Sequence, residues 1–228
     1  MCSKFALNSH PETVKNHFQY LNPAEFPPLE NIRPTDPIMI IREVNAKKRE
    51  LALVRWGLIP HWVKNPDDFT LIINARAETL MEKPSFRTSM AHKRCLVPAD
   101  GFYEWSGPKG NRTPHHITLA QNSETSHQAT LMAFAGLWDH WLGAEGSEFE
   151  SAAIITMAAN NQISQLHNRM PAIIMPEDFD DWLDVKNVNS KEALKLLKPA
   201  PEGAFDISNL TPNTKDKKNA SPSQGELF

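Results

Sequence analysis

The sequence predicts an α+β fold, with a mixed, mostly antiparallel β core curled into a barrel-like or sandwich arrangement and helices at its periphery. Three observations predict this class. Apolar β-rich runs are many and short, helical patterns are few and short, and strands and helices do not alternate as they do in a doubly wound parallel sheet. No internal repeat divides the chain.

The first two long apolar runs, residues 38–44 and 50–56, flank a short polar segment and predict a hairpin. Further strands are predicted at 71–75, 94–99, 101–105, 116–119, 130–138, 152–157 and 169–175. Helices are predicted at 10–21, 85–92, 160–167, 176–184 and 190–198. Ser9 and Glu12 are spaced as a capping box for the first helix, and Ser190 is the expected N-cap of the last.

We expect one domain over residues 1–210 and a disordered tail over 211–228, where Lys, Asn, Ser and Pro replace apolar residues. The chain has 228 residues and a formal net charge of −3. No apolar run approaches the roughly 20 residues of a membrane span, and the first residues lack the apolar stretch of a secretory signal. Two cysteines make no disulfide framework, so we expect a cytoplasmic protein without membrane association.

Cys2 directly follows the initiator Met1. If Met1 is removed, Cys2 carries an α-amine and a thiol on adjacent carbons. The amine can form an imine with an aldehyde, and the thiol can then close a five-membered thiazolidine. Their ordinary pKa values, about 8 and about 8.5, leave both groups partly deprotonated near neutral pH. The other cysteine, Cys95, lies in an apolar strand-like run and is expected to be a buried small hydrophobe.

Asn74 and Arg76 end a predicted strand, which places polar side chains at the rim of the core. Arg76 is suited to bind a phosphate through two hydrogen bonds, and Asn74 can orient a nucleophile. A structural ion pair between Arg76 and Glu78 is an equally good interpretation.

Glu104 lies between Tyr103 and Trp105 in a β-rich run. Apolar neighbours raise the pKa of a carboxyl group, which suits a general acid or base near neutral pH. The alternative is a Glu that faces solvent while the aromatic side chains face the core. Trp105 and Trp62, the latter in the turn WGLIPHW, are candidate platforms for base stacking or covers for the core.

His167 and Arg169 follow a predicted helix and precede an apolar strand. Histidine transfers protons at neutral pH, and Arg169 can bind an anion. The chain has no C-x-x-C or H-E-x-x-H spacing and no dinucleotide-binding, P-loop or GxSxG motif. We therefore expect no metal and no cofactor.

Together these segments resemble the SOS-response-associated peptidase (SRAP) family, the abasic-site-processing proteins that cross-link to DNA. The resemblance extends over about residues 1–175, in the order of the family. It is carried by the Met-Cys start with Phe5, by Asn31 and Pro34, by WGLIPHW, NARAET, RCLVPADGFYEW and AGLW, by the strand ending at Thr156, and by LHNRMP.

The resemblance implies an enzyme that forms a covalent thiazolidine with abasic single-stranded DNA, has lyase activity, and removes its own Met1. Cys2 would be the nucleophile, Asn74 would hold its amine or the sugar, Glu104 would move protons, and His167 would help to open the sugar ring. The implied DNA contacts are Lys4, Trp62, Arg76, Trp105, Thr156 and Arg169. The expected partner is single-stranded DNA with abasic sites, bound by a monomer that joins the nucleoid at damaged DNA.

Two residues depart from the usual family start of Cys-Gly-Arg-Phe, which here is Cys-Ser-Lys-Phe. Lys4 keeps the positive charge but loses the two-pronged guanidinium, and Ser3 is less flexible than glycine. Either phosphate binding near Cys2 is weaker, or another arginine compensates. Because no reacting atom is lost, we expect activity to be retained.

The last residues, with Gln224, Leu227 and Phe228, resemble the short peptide that docks bacterial repair proteins on the sliding clamp, although chance explains so short a motif equally well. Two other functions stay open. One is an N-terminal-nucleophile glutamine amidotransferase, in which the Cys2 thiol attacks an amide. The other is a non-enzymatic single-stranded DNA-binding module that would not need Cys2.

Overall fold

The computed structural model describes residues 2–45, 47–108, 110–120 and 131–210. The predicted disordered tail at 211–228 and the clamp-like motif within it lie outside these ranges. Within them, no helix has the length and hydropathy of a membrane span.

In chain order, the strands are β1 (Phe5–Leu7), β2 (Leu29–Ile32), β3 (Pro37–Asn45), β4 (Lys48–Trp56), β5 (Asn74–Arg76), β6 (Arg94–Ala99), β7 (Gly101–Ser106), β8 (Thr113–Leu119), β9 (Met132–Leu142), β10 (Glu148–Ala158), β11 (Arg169–Pro171) and β12 (Phe205–Asn209). The helices are α1 (Pro11–Phe18), α2 (Pro84–His92), α3 (Asn161–Ser164), α4 (Phe179–Leu183) and α5 (Ser190–Leu194).

Five strands form a closed barrel. They pair in the order β9, β10, β4, β3 and β6, and β6 pairs back with β9. The pairing of β4 with β10 is parallel, whereas the other pairs of the ring are antiparallel. Outside the ring, β5 runs parallel to β10 and β11 runs antiparallel to it. The predicted α+β class with a barrel-like core is therefore confirmed, and so is the hairpin of β3 and β4.

A second sheet, antiparallel throughout, packs against the barrel in the order β12, β8, β7, β1 and β2. Phe5 of β1 joins the two, because its ring lies 5.1 Å from that of Trp56 and 5.9 Å from that of Phe134, both in the barrel. Since β1 has a partner strand on each side, the residues next to Cys2 are held inside a sheet.

Several local predictions were wrong. Strands β1, β2 and β12 were not predicted, and the first helix ends at Phe18, well before residue 21. Its N-cap is His10, since Ser9 instead hydrogen-bonds the carboxylate of Asp100. At α5 the N-cap is Asn189 rather than Ser190, because the Asn189 side chain accepts the first free N–H groups of the helix.

Candidate active site

Cys2 lies three residues before Phe5, the first residue of β1, and is fully buried. Its thiol donates to the carbonyl oxygen of Lys4 over 3.6 Å, and its own carbonyl accepts a 2.8 Å hydrogen bond from the Asn74 side-chain amide. The Lys4 carbonyl also accepts from the backbone N–H of Tyr103 in β7 over 3.0 Å. The position of Cys2 is thus fixed from both sides.

Burial raises the pKa of the Cys2 thiol to about 12, and the nearby negative charge of Glu104 contributes to the increase. In the chain that carries Met1, the thiol is therefore protonated at neutral pH. A weakly ionised thiol needs a neighbouring base before it can act as a nucleophile.

Asn74 begins β5, where parallel pairing with β10 places it opposite Ile154. Its amide nitrogen contacts Cys2, while its side-chain oxygen is buried and has no hydrogen-bond partner within the described ranges. A buried acceptor without a partner is costly, so it marks a place where a donor is expected to bind.

Glu104 lies in β7 and is only 3% exposed. The strand alternates, so that Phe102 and Glu104 face inward while Tyr103 lies on the outer face. Burial raises the pKa of the Glu104 carboxyl group, and the electrostatic effect of the neighbouring His167 acts in the opposite direction. The carboxyl group is therefore buried, and the alternative interpretation of a Glu that faces solvent was wrong.

His167 follows α3, and its backbone N–H bonds the carbonyl of Ile163 over 3.0 Å. Its Nδ1 accepts a 3.0 Å hydrogen bond from the backbone N–H of Arg169. Nδ1 therefore carries no proton, and the neutral ring holds its proton on Nε2. A cavity of about 300 Å³ is lined by Ser3, Glu104, Trp105, Gly107, Arg112, Leu166 and His167.

The guanidinium of Arg169 is already bound by other residues of the protein. Its guanidinium makes two hydrogen bonds to the carboxylate of Glu78, at 2.6 and 3.0 Å, and others to the backbone carbonyl and hydroxyl oxygens of Thr156. Thr156 is fully buried, so its side chain would contact DNA only if the site opened. Glu78 thus pairs with Arg169, not with Arg76 as one interpretation of the sequence held.

Arg76 is exposed and lines a neighbouring cavity of about 400 Å³ with His167, Asn168 and Arg169.

The three remaining predicted DNA contacts lie in different surroundings. Trp62 is 49% exposed and packs edge-to-face on Phe69, whereas Trp56, in the same turn motif, is fully buried. Trp105 is partly exposed at the cavity. Lys4 is not brought to the cavity, because its ammonium lies 4.1 Å from the ring centroid of Tyr103 on the outer face of the sheet.

The family model described as SOS response associated peptidase (SRAP) matches residues 1–215. The chain belongs to the SRAP family.

Relatives of this SRAP chain carry a functional name. YoqW of Bacillus subtilis (strain 168), an abasic site processing protein, is 37% identical over 227 residues that cover 97% of each chain. HMCES of Gallus gallus, also named an abasic site processing protein, is 32% identical over 211 residues, which cover 82% of this chain and 63% of HMCES. A crystal structure of a Bacteroides thetaiotaomicron protein has a TM-score of 0.81 at 27% identity and covers 92% of this chain and 93% of its own.

Sequence reasoning assigned no role to four residues that line the cavity of this SRAP domain, namely Ser3, Gly107, Arg112 and Leu166. Ser3 was considered only as a departure from the family start. Arg112 lies in the connection between β7 and β8, where the sequence Gly110-Asn111-Arg112 is typical of an ordinary turn. Among the described residues, no group of His, Cys, Asp or Glu side chains is placed to hold a metal ion.

Proposed function

We propose that this SRAP protein processes abasic sites in single-stranded DNA by capturing their ring-opened aldehyde on Cys2 after Met1 has been removed. The observation that carries the proposal is that Cys2, Asn74, Glu104 and His167, from four separate segments, surround one position: Asn74 contacts Cys2, and Glu104 interacts electrostatically with both Cys2 and His167. The names of the relatives YoqW and HMCES agree with this substrate.

Capture begins with opening of the sugar. An abasic deoxyribose is mainly a cyclic hemiacetal, so its C1′ hydroxyl must lose a proton while the ring oxygen gains one. His167 is suited to supply the second proton, because its neutral ring carries the proton on Nε2. Glu104 is suited to accept the first, since burial raises the pKa of its carboxyl group and makes the carboxylate a stronger base.

The Cys2 amine then adds to the C1′ aldehyde, and Glu104 returns a proton to the departing hydroxyl, so that an imine forms and one water is released. The thiol adds to the imine carbon and gives its proton, through Glu104, to the nitrogen. The net reaction joins aldehyde and cysteine to thiazolidine and water. We assign Asn74 the task of holding the Cys2 amine, because its side-chain oxygen is a buried acceptor beside the Cys2 carbonyl.

The same imine supports the proposed lyase activity. Removal of a C2′ proton by Glu104 would expel the 3′ phosphate by β-elimination, so the balance between elimination and ring closure depends on how fast the thiol adds.

We propose that Met1 is removed by attack of the Cys2 thiol on the Met1 carbonyl, followed by hydrolysis of the thioester. In a translation system without an aminopeptidase, intact mass should then show loss of Met1 from the wild type and its retention in Cys2→Ser.

For the DNA strand, we propose that Arg76 binds a phosphate and that Trp62 and Trp105 stack on bases. Arg169 is better suited to form the wall of the site than to bind DNA, because its guanidinium is already bound by Glu78. We assign Thr156, which Arg169 also contacts, to the same wall. We expect Lys4 to contribute to DNA binding only through its positive charge, because its ammonium lies over Tyr103 on the outer face of the sheet.

The test is to incubate the protein, with loss of Met1 confirmed by mass, with abasic single-stranded DNA and to separate the products on a denaturing gel. We expect a heat-stable adduct with wild type and with Cys95→Ala, which removes the other buried thiol, but none with Cys2→Ala. Absence of an adduct in the wild type would refute the proposal. Glutamine hydrolysis would instead favour an amidotransferase, and unchanged function of Cys2→Ala would favour a simple binding module.

A further inference from the structure

Three neighbouring cavities follow one another across the site. The first, of about 400 Å³, is lined by Arg76, His167, Asn168 and Arg169. The second, of about 300 Å³, contains Glu104 and shares His167 with the first. The third, of about 620 Å³, is lined by Ser3, Trp105, Gly110 and Arg112, and all but Gly110 also line the second. Because neighbouring cavities share lining residues, we describe the three together as a trench, and Glu104 and His167 line its central cavity.

The two ends of the trench have the same charge. Arg76 lines one end and Arg112 the other, and both are exposed. Within the described ranges neither makes an ion pair, in contrast to Arg169, whose guanidinium is bound by Glu78. An arginine without a carboxylate partner at the wall of an open groove is suited to bind a phosphate through two hydrogen bonds.

Lys4 does not compete for this role. Its ammonium lies over the ring of Tyr103, which alternation along β7 places on the face opposite Glu104. Lys4 lines none of the three cavities. Of the described basic residues near the start of the chain and in the β7–β8 connection, Arg112 is the one that lines the trench.

We propose that Arg112 binds the DNA phosphate on one side of the abasic site while Arg76 binds the phosphate on the other, so that the lesion is held over Cys2 from both sides. This inference rests on the proposed function. It identifies the arginine that takes over the phosphate contact weakened by Lys4, and it gives the bound strand a path along the trench between Arg76 and Arg112.

The experiment uses short single strands that carry a stable tetrahydrofuran analogue of the abasic site. In two further strands, a neutral methylphosphonate replaces the phosphate immediately on the 5′ side or on the 3′ side of the analogue. Binding is measured by fluorescence anisotropy over a range of salt concentrations for wild type, Arg112→Gln and Arg76→Gln. Lys195→Gln is the matched control, because it removes an exposed positive charge that lines none of the cavities.

We expect Arg112→Gln to weaken binding of the unmodified strand by about tenfold and to reduce the slope of log affinity against log salt by about 1. On one methylphosphonate strand the effect of Arg112→Gln should disappear while that of Arg76→Gln persists, and on the other strand the reverse should hold. Lys195→Gln should bind all three strands as wild type does. Arg112→Lys, which keeps the charge but not the two-pronged geometry, should give an intermediate loss.

The proposal is wrong if Arg112→Gln binds every strand as wild type does, or if both arginine variants lose their effect on the same methylphosphonate strand. Melting temperatures matching wild type would exclude misfolding as the cause of any loss. Because the analogue cannot form an imine, these results do not depend on Cys2. Failure of the proposed capture chemistry would appear separately, as absence of adduct between the wild type and natural abasic DNA.

Discussion

The side-chain amide of Asn74 donates a 2.8 Å hydrogen bond to the backbone carbonyl of Cys2. Asn74 belongs to β5, which extends the barrel, whereas Cys2 precedes β1 of the other sheet. The contact therefore joins the two sheets at the proposed nucleophile, and it adds to the hydrogen bond that the Cys2 thiol donates to the Lys4 carbonyl.

Replacing Asn74 with Asp should slow cross-linking. The Asp carboxylate has almost the same shape as the amide but cannot donate to the Cys2 carbonyl, so an acceptor faces an acceptor. Loss of one buried hydrogen bond, with its partner left unsatisfied, corresponds to about 1–3 kcal/mol, or roughly 5- to 150-fold in rate if the whole effect falls on the reaction. The measurement is single-turnover adduct formation with abasic DNA. Wild-type rates in Asn74→Asp would show that the contact does not position Cys2.

Glu104→Gln should stabilise the fold while strongly slowing capture. Burial raises the pKa of Glu104 in the folded state, so its favourable contribution is complete below the ordinary pKa of 4.5 and is lost as the pH rises through the folded-state value. At pH 7 to 8 the variant should therefore melt above wild type, and the difference should shrink as the pH falls toward 4.5. Adduct formation should fall by roughly 10²- to 10⁴-fold. A melting difference that grows on acidification would contradict this explanation.

His167→Gln should affect ring opening more than the later steps. With abasic DNA we expect adduct formation to slow by roughly 10²-fold or more, the usual loss on removing a general acid. With a small acyclic aldehyde such as propanal, which has no ring to open, the variant should form the Cys2 thiazolidine at the wild-type rate by intact mass. Glu104→Gln is the comparison, because it should slow both reactions. Equal slowing of both by His167→Gln would assign His167 a different role.

Gly101→Ala should destabilise the protein. A methyl group at this position would lie 2.8 Å from the carbonyl oxygen of Ile117 and would also meet the ring of His116. That ring stacks on Tyr103 at 4.7 Å, so the sheet has little room to adjust. We expect a loss of about 1–3 kcal/mol and a Tm lower by roughly 2–12 °C. Adding His116→Ala should recover part of the loss, and a wild-type Tm in the single variant would contradict the crowding.

Deletion of residues 224–228 tests the clamp-like motif, which lies outside the described residues. If Gln224, Leu227 and Phe228 dock in an apolar groove of the sliding clamp, the deletion should remove clamp binding in a pull-down and in surface plasmon resonance. Adduct formation on free DNA should be unchanged. Unaltered clamp affinity after deletion would assign the resemblance to chance.

Local patterns in the sequence predicted much of the fold, because alternation and apolar runs located β3, β4, β6, β7 and most of β9 and β10. They missed β1, since three residues are too few to show a period of two. They also gave no sign that β4 and β10 pair in parallel and close the barrel. That pairing depends on contacts between segments about a hundred residues apart.

In the site, as in the fold, motifs identified individual residues, but contacts between segments far apart in the chain could not be predicted. Motifs singled out Cys2, Asn74, Glu104 and His167, and the fold brings these residues together. The partner of Glu78 could not be read from its neighbours, because the nearby Arg76 was an equally good candidate while the actual partner, Arg169, lies in a later strand. The burial of Thr156 was likewise a property of the assembled barrel.

The insertion of β1 between β2 and β7 has a consequence for the entropy of the reaction. The end of a polypeptide is normally its least ordered part, and ordering it at each encounter with a substrate would slow every capture. Here the strand next to Cys2 is ordered once, when the sheet forms, so in the proposed function the amine and thiol would meet the aldehyde as a prearranged pair. Folding of the second sheet would thus meet, before any DNA binds, an entropic cost that a flexible chain end would meet at every encounter.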